Sequence, residues 1–119
     1  MIEGGCHCGA VRIEVEEAPT AVTDCNCSIC RRLGGLWFYP HPRQVRIEGE
    51  AATVAYVQGD RTLALHHCQA CGCTTHWRSL EAGGGERMGV NARMFDPQVV
   101  AAARVRRLDG ADTWAYLDD

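Results

Sequence analysis

Apolar and polar residues alternate along much of this chain. Val11, Ile13 and Val15 stand between Arg12, Glu14 and Glu16, and Val45 and Ile47 repeat the pattern after Pro42. Period-two alternation places one face of an extended strand in a core and the other in water. Ala52 to Val57, Thr62 to His67, Thr74 to Trp77 and Met88 to Ala92 read as further strands. Turn formers separate them at Gln58-Gly59-Asp60 and at Gly83-Gly84-Gly85, the latter a hairpin tip. Arg104 to Leu108 and Trp114 to Leu117 read as edge strands. Helical signals are confined to two places. Ser28 to Leu33 is stopped by Gly34-Gly35, and Asp96 caps a turn with Pro97 at its first position. The pattern predicts a mostly β protein with one or two very short helices.

At 119 residues the chain is sized for one domain, residues 1–119, with a core of its own. The net charge is −3, and all twelve basic residues are scattered arginines. No basic stripe matches a polyanion, so no nucleic-acid partner is expected. The opening Met1-Ile2-Glu3-Gly4-Gly5 has neither a basic stretch nor an apolar one, and no apolar run approaches the roughly 18 residues of a spanning helix. The expectation is a cytoplasmic protein with no membrane partner. An exposed edge strand is compatible with a homodimer.

That compartment decides how the eight cysteines are read, because cytosolic thiols stay reduced and favour metal over disulfides. Cys6 and Cys8, far in sequence from Cys68 and Cys71, complete a tetrahedral four-sulfur site only by drawing their strands together, the usual arrangement of structural zinc. Gly72 after Cys71 allows the tight turn such a site requires. Cys25, Cys27 and Cys30 place three thiolates on one metal from a single turn and leave a fourth position open, as catalytic zinc does. A closed second site, completed by Cys73, His7, His66, His67 or His76, is the competing arrangement. Two zinc ions per chain follow in either case.

Zinc with three thiolates carries about −1, which makes it a poor source of hydroxide and suits it to thiol chemistry. Arg31 and Arg32 follow Cys30 directly and are candidates to bind a substrate carboxylate, or simply to line a solvated helix face.

Gly5-Cys6-His7-Cys8-Gly9-Ala10-Val11-Arg12, Cys25-Asn26-Cys27-Ser28-Ile29-Cys30-Arg31 and Cys68-Gln69-Ala70-Cys71-Gly72 occur in this order and together span most of the chain. With them the sequence resembles the glutathione-dependent formaldehyde-activating enzyme family, which includes centromere protein V. The resemblance implies a zinc-bearing β-tent fold. It also implies a carbon–sulfur lyase that joins glutathione and formaldehyde as S-hydroxymethylglutathione, or separates them. Matching positions make Cys6, Cys8, Cys68 and Cys71 structural zinc ligands and Cys25, Cys27 and Cys30 catalytic zinc ligands. Cys73 departs from the pattern, standing where the family carries a small hydroxyl residue.

Trp37-Phe38-Tyr39 reads as a core strand or as a pocket wall over the second zinc. Alternation points one of His66 and His67 inward and the other outward, and Asn91 reads as a group that satisfies buried backbone. Two functions fit. The first is an enzyme that activates a small thiol at Cys25, Cys27 and Cys30 and sets it against an aldehyde. The second is a non-catalytic binding module in which both zinc sites are structural. Redox sensing by Cys27 and Cys30 would require zinc release.

Overall fold

In the computed structural model, which describes residues 1–81 and 87–117, the alternation around Ile13 forms the middle of a small sheet. β1 (Ile2–Gly5), β2 (Arg12–Val15), β3 (Ala21–Cys25), the single-turn α1 (Cys30–Leu33), β4 (Trp37–Phe38) and β5 (Val45–Glu48) occupy the first part of the chain. β6 (Thr53–Val57), β7 (Leu63–Cys68), β8 (Thr74–Ser79), β9 (Met88–Asn91), α2 (Pro97–Ala101) and β10 (Arg104–Leu108) complete it. The architecture is mostly β with two very short helices, as the pattern predicts.

The small sheet has the order β1-β2-β5, and the large one β10-β3-β4-β9-β8-β7-β6. Neighbouring strands are antiparallel except β10, which runs parallel to β3 from Arg104 beside Ala21 to Leu108 beside Cys25. Ile13 and Val15 of the small sheet share a buried core with Val22, Phe38 and Val90 of the large one. A second apolar cluster, Trp37, Leu65 and Trp77, lies under the residues that follow Cys27. Among the described residues no helix is long and apolar enough to cross a membrane.

Some boundaries differ from the sequence reading. The helix after the cysteine triplet begins at Cys30 rather than Ser28 and ends on Gly34, whose φ of 68° lets its N–H reach back to Cys30 O. Trp114 to Leu117 forms no strand. It contributes one bridge, Leu108 to Tyr116, because Trp114 itself adopts a positive φ of 60° and breaks the extended run. His66 and His67 do not alternate cleanly, since a register shift falls between them and leaves both half-buried. The expected hairpin tip at Gly83-Gly84-Gly85 lies outside the described residues.

Candidate metal centres

The first cysteine group forms where the β1–β2 turn meets the end of β7. The Gly9 N–H closes on Cys6 O at 3.1 Å and the Gly72 N–H on Cys68 O at 2.9 Å. Both glycines take positive φ, 82° and 81°, a conformation that costs other residues energy. The two turns, one closed over three residues and the other over four, bring Cys6 Sγ to 3.7 Å from Cys8 Sγ, and Cys8 Sγ to 3.6 Å from Cys68 Sγ. The donor atoms of Cys6, Cys8, Cys68 and Cys71 all lie within 4.8 Å of one another. Zinc–sulfur bonds of about 2.3 Å at tetrahedral angles require sulfurs about 3.8 Å apart, so this donor set fits zinc. Backbone N–H groups of Val11 and Ala70 point at the sulfurs of Cys6 and Cys68, at 3.3 and 3.4 Å. The N–H groups of Cys73 and Cys8 hold the Cys71 thiol down at about 5.

Cys73 lies beside this group without being one of its four donors. Its thiol meets the His7 N–H, which lowers its pKa, while burial and the Cys71 and Cys6 sulfurs outweigh that and push it up. It packs with Cys71 against Cys6, Val11 and Cys68.

The second group is built by the loop that leaves β3. Cys25 ends the strand, Cys27 sits in the turn and Cys30 opens α1, so six consecutive residues present three sulfurs within 4.8 Å of one another. Among the described residues no fourth Cys, His, Asp or Glu donor joins them at that range. Burial raises the Cys25 thiol, and it raises Cys30 further, with the Cys27 sulfur adding to it. Burial also opposes ionisation of Cys27, but the Cys30 N–H, the Cys30 and Cys25 thiols and the Ile29 N–H together outweigh it and lower the thiol; the Cys30 N–H stands 3.4 Å from Cys27 Sγ.

One observation bears on charge at these thiols and another on how tightly they are packed. Trp37 Nε1 is buried without a hydrogen-bond partner, and it bears on Cys30, where it acts to lower the thiol. A thiolate there would accept from that indole. Gly110 presses on Cys25 so closely that a side chain would displace the sulfur.

The loop after β10 fastens this group. Asn26 N–H donates to Leu108 O at 3.1 Å, its Nδ2 donates to Asp109 Oδ1 at 3.0 Å, and its Oδ1 accepts from the Ala111 N–H at 2.9 Å. No sequence signal had singled out Asn26 or Gly110, since each acts only through a contact with the opposite end of the chain.

Cys25, Cys27 and Cys30 lie on the wall of a cavity of about 1000 Å³. Trp37 and Tyr39 line it as well, so that segment serves both roles read from the sequence: Trp37 and Phe38 are buried and Tyr39 is half exposed. Desolvation pushes the Tyr39 phenol up to about 12. Arg31 and Arg32 are exposed and stand outside the cavity wall, and Arg32 Nη1 donates to Ser28 O at 2.7 Å. Asn91 meets its expectation, with Oδ1 accepting from the Leu36 N–H and Nδ2 donating to Thr74 O.

A third grouping combines Glu50, His66 and His76. Its carboxylate is committed inside the chain, accepting from Arg78 Nε at 2.7 Å, Arg78 Nη2 at 3.1 Å and His76 Nε2 at 2.7 Å. The imidazoles of His66 and His76 stack at 4.5 Å.

Residues 1–107 match the family model described as glutathione-dependent formaldehyde-activating enzyme. The chain belongs to this family. A protein of the family from Halomonas elongata, described as "Putative glutathione-dependent formaldehyde-activating enzyme", is 34% identical over 76 residues, which cover 63% of this chain and 45% of that protein. The match thus spans less than half the length of that relative. A crystal structure of a Rhodobacter sphaeroides protein is 31% identical and superposes with a TM-score of 0.71 over 87% of this chain and 99% of its own. Membership agrees with the resemblance carried by the three cysteine motifs, and the superposition agrees with the family fold.

Proposed function

We propose that this chain is a zinc-dependent carbon–sulfur lyase acting on a thiol–aldehyde adduct of the S-hydroxymethylglutathione type. The single observation that carries the reading is the opening of the 1000 Å³ cavity onto Cys25, Cys27 and Cys30, three sulfur donors with no fourth beside them among the described residues. On this reading those residues hold a catalytic zinc, while Cys6, Cys8, Cys68 and Cys71 hold a structural one, within one cytoplasmic domain. Zinc bound by three sulfurs would supply a position at which a substrate thiol loses its proton near neutral pH.

The rest of the work falls to the chain. The Cys30 and Ile29 N–H groups support negative charge on Cys27, and the Trp37 indole supports it on Cys30. Where the apolar walls replace water beside the sulfurs, each of these interactions is stronger than in bulk solvent. Tyr39, held protonated at neutral pH, is a donor for the oxygen of the aldehyde. In the joining direction a sulfur–carbon bond forms, the carbonyl π bond breaks, and the thiol proton ends on the former carbonyl oxygen. In the reverse direction each change is undone, with no oxidant or reductant required.

The test is exchange spectroscopy by NMR on protein with two zinc ions per chain, in a mixture of formaldehyde, glutathione and their adduct. Faster exchange than in buffer, abolished by Cys25→Ser with one zinc and the fold retained, supports the reading. An uncatalysed rate with every thiol and aldehyde tried would overturn it and leave a zinc-braced binding module.

A further inference from the structure

The cavity is large and apolar compared with a tripeptide thiol and a one-carbon aldehyde. Its volume of about 1000 Å³ stands at the upper end of small-molecule sites, which run from about 300 to 1,000 Å³. Trp37, Leu63, Leu65, Trp77, Met88 and Trp114 form its walls. Trp37, Leu65 and Trp77 pack as one cluster, a rigid apolar floor beside Cys30.

The distribution of charge points the same way. Glutathione brings two carboxylates and one ammonium group. Among the described residues Arg87 is the one guanidinium on the cavity wall and Asp60 the one carboxylate. Arg87 lies over the Trp77 ring at 5.9 Å, and Asp60 is engaged by the N–H and hydroxyl of Thr62. The chain contains no lysine. Three thiolates around a divalent ion leave about −1 in the site. A second carboxylate would meet no further guanidinium, only the His41 imidazole and the neutral Ser28, Gln58 and Thr62, whereas an apolar substituent would gain from every apolar wall it covers.

We propose that this cavity selects a thiol–aldehyde adduct whose organic substituents are uncharged and apolar, aromatic or long-chain, in preference to the adduct of glutathione. The proposal rests on the lyase reading for the chemistry, but the preference itself is a property of the cavity and can be read without turnover.

The experiment is anaerobic calorimetric titration of the zinc-loaded protein with 2-phenylethanethiol, glutathione and 3-mercaptopropionate, with quenching of tryptophan emission as a second readout. The expected order places 2-phenylethanethiol at least ten-fold tighter than either anionic thiol. Trp114→Ala, at a residue 67% exposed and so tolerable to the fold, should weaken the aromatic thiol several-fold and leave glutathione unchanged. Leu63→Arg, which adds a second guanidinium to the wall, should narrow the preference. Glutathione binding as tightly as 2-phenylethanethiol, or tighter, overturns the proposal even if the protein is an active lyase. Tight 2-phenylethanethiol binding without catalysed exchange of any aldehyde supports the apolar site and removes the lyase reading instead.

Discussion

A Cβ built on Gly110 would stand 2.4 Å from the sulfur of Cys25 and 3.3 Å from Cys27 Cβ. Only a residue without a side chain lets the loop after β10 close over the cysteine triplet, where Asn26 ties it to Leu108, Asp109 and Ala111. Gly110→Ala must therefore move the sulfur or the loop, and overpacking of this kind costs about 1–3 kcal/mol. The strain falls on the triplet and leaves the first cysteine group alone. The expected outcome is a protein that folds with one zinc bound tightly and the second weakened at least ten-fold. Metal analysis after dialysis against a mild chelator checks it; two equally retained ions would contradict it.

The two groups of thiols should also differ in what they hold up. Cys68 is fully buried and, with Cys6 and Cys8, joins the end of β7 to the β1–β2 turn of the other sheet. Structural zinc contributes on the order of 10 kcal/mol, comparable to the whole stability of a domain. Cys68→Ser is expected to abolish cooperative unfolding, whereas Cys25→Ser keeps a melting transition within several degrees of the wild type. Calorimetry on both variants decides, and equal collapse would make the triplet structural too.

The arginines beside the triplet offer a sharper comparison. Arg31 and Arg32 are exposed and off the cavity wall, while Arg87 is on it. Arg87→Ala should lower affinity for 3-mercaptopropionate by three-fold or more. Arg31→Ala and Arg32→Ala should each change it by less than two-fold. A larger loss with either of the latter would restore the carboxylate role read for them from the sequence.

The chemistry of this chain was more legible in its sequence than its assembly. Cys-x-Cys and Cys-x-x-Cys-Gly spacings force sulfurs together within a turn, so both groups were readable before the fold was known. Period-two alternation found β2 and β5 because one face of each meets the core. It missed β3, where Ala21-Val22-Thr23-Asp24-Cys25 buries Val22 and Thr23 in succession, as a strand flanked by β10 and β4 within a wide sheet does. Cys73 follows Cys71 at Cys-x-Cys spacing and so falls beside the first group; what spacing leaves open is contact between distant segments, which strand order decides. Gly110 and Asn26 carried no signal for the same reason. Their roles exist only once β10 lies parallel to β3, a pairing that brings the end of the chain across the triplet.

Acid should weaken the fold through the network around Glu50. Burial pushes the fully buried His76 imidazole down to about 4. Neutral His76 donates Nε2–H to Glu50 Oε2 at 2.7 Å and takes a hydrogen bond from the Thr75 hydroxyl at Nδ1, 2.8 Å away. Burial alone would raise the Glu50 carboxyl, but Arg78 and His76 outweigh it and hold it at about 2. Both groups titrate lower in the folded state than in the unfolded one. Between about pH 6.5 and 4 the unfolded chain binds the His76 proton and the native one does not, so stability falls as pH drops through that window; Glu50 extends the loss from about 4.5 towards 2. A depression from 6.5 to about 4 corresponds to about 3 kcal/mol. Denaturant titrations of wild type and His76→Gln at pH 7.5, 6.5, 5.5 and 4.5 isolate this contribution, because acid release of metal from the cysteines is common to both proteins. Wild-type stability should fall more steeply than that of the variant across this range, and parallel curves would show that His76 carries no part of the acid sensitivity.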